Sequence, residues 1–389
     1  MGEKFIIHSP RLSFACSSSF KSGSQTDPRS HSKQQMASTK LTLNHPFLIS
    51  LLPLAALALT TIIAFIHAIY SNYTTLASLW APCTNPQLLG RPIPTPVCFA
   101  IHFFQAAHAT PHARLEQAVI VSFLVGLATI TAVEGPRIRG MDIVAGDEKK
   151  KKNKKKGPRR GDLISQAIIA NLTIPWLLYS LAFGALAWQG IIIPAFLYRR
   201  RHQSQPSEAD AGVTTHYSPT IPLSIILGLF LPAGTMLLHP AAALPIILFL
   251  LFPVWTTLAH HLLHPLTSRF TLPNKTLLYA PAIIASTVAH IAFILSLLTN
   301  LGSQDGDRPA AHAAALFLLE LDHVAIFLTA LYWIRLGSGA HGVLVTLAAT
   351  IALGPGAGVC LGWLYPCEES TERRRRRKAT GTFFGSLPA

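Results

Sequence analysis

Apolar residues in this chain come in unbroken runs about twenty long, and the polar residues are pushed into the intervals between them. At about 1.5 Å per residue such a run matches the roughly 30 Å hydrocarbon layer of a bilayer, so each run is predicted to be a crossing helix. The runs are residues 47–70, 115–133, 163–183, 220–238, 241–263, 277–298, 313–333 and 342–364. The predicted fold is therefore all-α, a polytopic integral membrane helical bundle of about eight transmembrane helices. Residues 98–109 are apolar but too short to cross, and are expected to be interfacial or re-entrant. Residues 163–198 are long for one crossing and short for two, which leaves nine crossings as the alternative count. Pro175, Pro222, Pro232, Pro245, Pro253 and Pro281 lie inside these runs, as membrane helices tolerate and soluble ones do not.

The pattern divides the chain into three parts. Residues 1–44 are predicted to be a disordered N-terminal segment; they lack the apolar core of a secretory signal, and Met36, just ahead of the first run, is an alternative start. Residues 45–366 form the transmembrane domain, with a basic loop at 140–162, and residues 367–389 a basic, disordered tail. Only 13% of residues are charged, against about 25% in soluble domains, which excludes an ordinary soluble fold.

The net charge of +15 points toward a polyanion. Its carriers, however, are the clusters at 149–156, 159–160, 199–201 and 373–378, each beside an apolar run. Basic juxtamembrane clusters fix topology and meet anionic lipid headgroups, so membrane lipids and not nucleic acid are the expected partners. With 149–156 on the cytoplasmic side, eight crossings return 373–378 to the cytoplasm but put 199–201 on the wrong side. Nine crossings repair 199–201 and export 373–378 instead; eight is preferred because the larger clusters then agree. The loop holding Cys83 and Cys98 then faces the lumen, where the two thiols can pair, and the sequon Asn72-Tyr73-Thr74 beside it agrees with a multi-pass protein of the endoplasmic reticulum.

Carboxylates are the informative exception to this pattern. None occurs from Thr220 to Gln304, yet Glu320 and Asp322 sit inside the run 313–333. An ionised acid at mid-membrane costs at least about 2.5–3.5 kcal/mol on insertion scales, so both are candidate functional residues. At about 100° per residue Glu320 and His323 share a face, and Asp322 points about 200° away from Glu320. Glu134 closes the second run in the sequence EGPRIRG, where Arg137 either makes an interfacial ion pair with it or tunes a carboxyl at the mouth of a pocket. Asn171, Pro175 and Tyr179, four apart, fall on one helix face.

His260, His261 and His264 form HHxxH, a possible metal cluster, but membrane di-iron oxygenases carry several such boxes and this chain has one. No P-loop, GxGxxG, GxSxG or CxxCH is present, so no cofactor and no metal is expected.

The EGPRIRG turn, the Asn171, Pro175, Tyr179 helix and the acid-bearing late run, in a basic chain of about eight crossings, resemble the fungal membrane-bound terpene cyclases of meroterpenoid clusters, of the ascofuranone and ascochlorin type. The resemblance covers most of residues 47–365 and implies cofactor-free, acid-initiated cyclisation of a farnesyl-type, often epoxidised chain on an aromatic or polyketide group. One departure is the insertion at 147–157, between Glu134 and Asn171. The chemistry asks for a general acid, a dry apolar cavity and electron-rich faces near the developing cation. An apolar surround keeps a carboxyl neutral and able to donate, and Trp176, Tyr179, Trp255 and Trp333 are candidates for cation–π contact of about 0.5–2 kcal/mol each. On this reading Glu134 or Glu320 donates the proton, Asp322 or Asn171 positions it, and Arg137 holds the acid or a substrate oxygen. The expected partners are a lipophilic isoprenoid substrate, lipids and other enzymes of the pathway. The alternative is a non-catalytic membrane protein, a transporter or assembly factor, whose acids couple protons or join helices.

Overall fold

The computed structural model describes residues 45–84, 87–88, 91–152, 168, 173–181, 184–202, 218–267, 270, 272, 274, 276–299 and 310–364. Helix α1 (His45–Ser71) leads into the short α2 (Tyr73–Trp80), a 3-10 turn (Ala81–Thr84) and a two-residue antiparallel pair, β1 (Gln87–Leu88) with β2 (Arg91–Pro92). Next come α3 (Thr95–Ala107), α4 (Pro111–Lys152) and α5 (Thr173–Leu181). Helix α6 starts at Gly184–Ala187, passes through a π-helical turn Trp188–Ile192 and continues as Ile193–His202. Then follow α7 (Thr220–Leu238), α8 (Ala243–Leu250), α9 (Phe252–Thr267), α10 (Thr276–Thr299), α11 (Ala310–Leu353) and α12 (Pro355–Leu364).

Five of these, α1, the Pro111–Gly135 part of α4, α7, α10 and α11, are long and apolar enough to cross a membrane, and α8 with α9, bent by 67°, makes a sixth. The chain is a multi-pass, all-α membrane protein. Segments 1–44 and 367–389 lie outside the described residues, as do 153–162 of the predicted basic loop; its first part, 140–152, is not loop but the continuation of helix α4.

One of the eight predicted runs, 342–364, and the long stretch 163–198 hold helical hairpins instead of single rods. The run 342–364 is interrupted at Gly354, where φ is +90°, and α12 folds back along the second half of α11. A Cβ on Gly354 would lie 2.8 Å from Ser286 Oγ, so both the left-handed backbone and the space demand glycine there. Small residues bring the arms together. A Cβ on Gly358 would fall 2.1 Å from Thr350 Oγ1, and one on Gly362 1.8 Å from Thr346 Oγ1, the small-residue spacing of four that lets membrane helices approach closely. The tip docks near the middle of two long helices: Ser286 of α10 donates to Leu353 O at 3.2 Å, and Gly356 lies against Ser122 of α4. A positive φ of 72° at Gly339 separates this hairpin from the first part of α11.

The second hairpin is α5 with α6. The Trp176 and Trp188 ring centroids lie 5.6 Å apart, where an unbroken helix would separate the two positions by about 18 Å. Helix α6 then runs parallel to the first part of α11: Ala185 meets Asp322, Gln189 Nε2 donates to Thr329 Oγ1 at 3.1 Å, and Phe196 packs on Trp333.

One end of the bundle gathers Phe196, Trp333, Trp363 and Glu134. The Trp333 and Trp363 rings are 4.5 Å apart, and Trp363 Nε1 donates to Glu134 Oε1 at 3.1 Å. The opposite end gathers α2, the 3-10 turn and α3, tied by a Cys83–Cys98 disulfide, with Gln105 Nε2 donating to Ala241 O at 2.8 Å and His312 Nδ1 donating to Ala106 O at 2.8 Å.

Candidate functional site

Toward the disulfide end the helices separate around a cavity of about 820 Å³, within the range that holds drug-sized ligands. Its wall is chiefly aromatic and aliphatic, with Trp80, Phe99, Phe103, Phe104 and Phe252 supplying ring faces. The polar groups on it come from Gln117, Tyr179, Ser180, Asp322 and His323, with the Tyr73 hydroxyl and the Trp80 indole N–H at the exposed α2 side.

Asp322 is held from the other side of the chain. The Ala185 N–H donates to its Oδ1 at 2.9 Å, and the Gly184 amide adds a second backbone bond, so the carboxyl caps the start of α6 much as an N-cap side chain does within one helix. A Cβ on Gly184 would lie 2.4 Å from the Tyr179 ring and 2.8 Å from Asp322 Oδ2. Glycine at 184 is thus what lets ring and carboxyl meet the helix start together. Since a carboxyl offers about four acceptor positions, the two amides leave it able to carry a proton.

His323 and Gln117 complete the polar part. His323 Nδ1 lies 2.5 Å from Leu319 O; a carbonyl only accepts, so Nδ1 carries the hydrogen and Nε2 is a bare lone pair. Both His323 Nε2 and Gln117 Nε2 are buried, with no hydrogen-bond partner among the described residues.

Of the sequence-predicted residues whose side chains the structure describes, Asp322 and Tyr179 line this cavity and Glu134, Glu320, Trp176, Trp255 and Trp333 do not. Leu318, Leu319, Asp322 and His323 span an arc of about 140° on α11, and Glu320 falls about 60° beyond its edge. Glu320 is half-buried elsewhere. Glu134 is buried at the far end of α4 against Trp363, about 25 Å along the helix from Gln117, so it is not at the mouth of this cavity. Trp176 is buried behind the wall on Tyr179, Trp188 and Phe252. Trp333 belongs to the aromatic stack at the Glu134 end, and Trp255 lines a separate open groove with Leu227 and Leu258. Asn171 and the Arg137 side chain lie outside the described residues, whereas Pro175 and Tyr179 are both buried, as one shared face requires.

The HHxxH histidines do not bring their ring nitrogens together into a ligand set; His260 and His264 have ring centroids 6.0 Å apart. Among the described residues one group of three metal-capable side chains does converge, Cys83, Cys98 and His102, and there the disulfide occupies both sulfurs. Sequence reasoning passed over Gln117, whose signal is a lone amide in an apolar stretch, and weighed His323 only as sharing a face with Glu320 and, with Glu320 and the HHxxH histidines, as a candidate metal ligand. No protein-family model, curated protein or solved structure matches this chain.

Proposed function

We propose that this protein is a membrane-bound terpene cyclase that protonates and cyclises a prenylated, farnesyl-type epoxide in meroterpenoid biosynthesis. The observation that carries the reading is the pairing of one carboxyl, Asp322, with an aromatic-lined cavity inside a lipid-embedded bundle. Asp322 takes the donor role, since neither Glu134 nor Glu320 reaches the cavity. Its proton passes to the epoxide oxygen as the C–O bond breaks, and the electron pair of that bond stays on oxygen as a hydroxyl. The tertiary cation left behind draws the π electrons of the next alkene into a new C–C bond. Ring faces from Trp80, Phe99 and Phe103 stabilise the cation, at about 0.5–2 kcal/mol each. Backbone amides fix the acid in place before substrate arrives, which is the preorganisation that electrostatic catalysis requires.

The test uses microsomes carrying the protein and a farnesylated phenol epoxide. Asp322→Asn is expected to insert normally and to lose about 10²–10⁴-fold in turnover, the usual worth of a general acid. Wild-type turnover by Asp322→Asn removes this acid from the mechanism. The endoplasmic reticulum is the proposed location, and the enzymes that prenylate and epoxidise the substrate are the proposed partners.

The topology reading refines with the fold. Six crossings, α1, α4, α7, α8 with α9, α10 and the first part of α11, combine with two hairpins that enter from the Glu134 end and return to it. Residues 149–152 of α4 and 199–201 of α6 then leave the membrane on one side, and α12 ends on it too. This proposed topology meets the positive-inside rule at both described clusters.

A transporter is the second reading, favoured by hairpins that turn at mid-depth and place a helix start at the cavity, as substrate sites of secondary transporters do. Proteoliposomes separate the two: conversion of the epoxide in sealed vesicles without net movement supports the cyclase, and proton-coupled movement of unchanged solute supports the transporter.

A further inference from the structure

Cyclisation begins with a proton and ends with the loss of one, and the cavity holds a group suited to the second step. We infer that His323 is the catalytic base that ends the reaction, and that the released product is therefore a cyclic alkene and not a water-trapped alcohol; this rests on the cyclase reading above.

The geometry makes the case. His323 Nδ1 donates to Leu319 O at 2.5 Å, which fixes both tautomer and ring orientation. Its Nε2 lone pair is buried and unpartnered among the described residues, in a side chain that lines the same cavity as the donor next to it in sequence. The other polar groups on the wall are poor rivals. Gln117 Nε2 and the Trp80 N–H are donors without a lone pair to offer, and the Tyr73, Tyr179 and Ser180 hydroxyls are weak bases. Helix geometry sets Asp322 and His323 about 100° apart on α11, so acid and base face different parts of a folded chain instead of competing for one atom.

The atoms balance. The Asp322 proton goes to the epoxide oxygen. When the last cation collapses, the electrons of a neighbouring C–H bond become the new π bond and that proton goes to His323 Nε2. Imidazolium and carboxylate are then left on the same cavity wall, and return of one proton from His323 to Asp322, relayed by water that enters as the product leaves, restores both with no net proton consumed.

The experiment follows products as well as rate. Detergent-solubilised full-length wild type, Asp322→Asn, His323→Gln and His323→Asn are incubated with the epoxide, and products are separated by mass. We expect both His323 variants to elute with wild type on gel filtration and still to open the epoxide. We expect total turnover to fall about 10–100-fold, and the single alkene to give way to isomeric alkenes and a water adduct. Gln and Asn both keep an amide able to donate to Leu319 O while removing the base, so two variants guard against a local packing artefact. The wild-type product at the wild-type rate from either folded variant overturns the inference and leaves the cyclase reading standing. Absence of epoxide turnover in the wild type overturns both.

Discussion

At the scale of single residues, Gly184 and His108 show how closely the wall of the cavity is determined. A methyl at 184 would sit inside the Tyr179 ring and against Asp322, so Gly184→Ala is expected to displace the carboxyl, cost about 1–3 kcal/mol through overpacking and reduce turnover well beyond that loss of stability. Melting curves beside the epoxide assay check this, and unchanged activity would show that Asp322 need not stand where it does. His108, fully buried between α3 and α4, supports the wall by stacking on Phe104. Burial pushes its pKa down to about 4; the Phe104 carbonyl works against this, and Arg114 and His312, which face it, add to it. An unfolded histidine binds its proton below about 6.5 while the folded one stays neutral to about 4. Stability is therefore complete above pH 6.5 and declines as pH falls toward 4, by about 3 kcal/mol for this group. Thermal melts from pH 7.5 to 4 should show the decline, and His108→Phe should flatten it.

At the scale of elements, what was legible from sequence was length and apolarity, and what was hidden was reversal. A hairpin with arms of about ten residues has the length and hydropathy of one crossing, so 342–364 reads as a rod unless the Gly354, Gly358, Gly362 spacing and the Gly354-Pro355 step are given weight. The basic clusters, of which either 199–201 or 373–378 is stranded by any count of plain crossings, were the other sign. For the site the division is similar. An acid inside an apolar run announces itself, so Asp322 was visible. Its amide partners at Gly184 and Ala185 come from a different element and depend on how α6 packs on α11, which no local pattern encodes. The disulfide belongs to this scale too, since it ties the turn after α2 to the start of α3, two walls of the cavity. It closes a loop with a sequence separation of 15, for which chain-entropy arguments give about 3 kcal/mol. Cys83→Ser with Cys98→Ser is expected to lower the melting temperature by several degrees and loosen product selectivity; an unchanged melt would mean the pair is not formed in the cell.

For the whole molecule, the arrangement of six crossings and two hairpins predicts sidedness. Reporter fusions at Asn153, within 203–217 and at the C-terminus should all read cytoplasmic, and one inserted near Asn72 should read lumenal. A lumenal signal from 203–217 would convert α5 and α6 into a full crossing and dissolve the hairpin. The two halves of the bundle also differ in density. The Glu134 half is filled by the hairpin arms and by the Trp188, Trp333 and Trp363 rings, while the disulfide half is hollow. On the proposed topology a molecule inside the cavity has a solid plug on its cytoplasmic side and the lumenal leaflet beside it. On the topology and function proposed above, cargo made on the cytoplasmic surface would have to change leaflet before it could enter, and what leaves would be delivered on the lumenal side, so the fold would fix an address for its product as well as a shape.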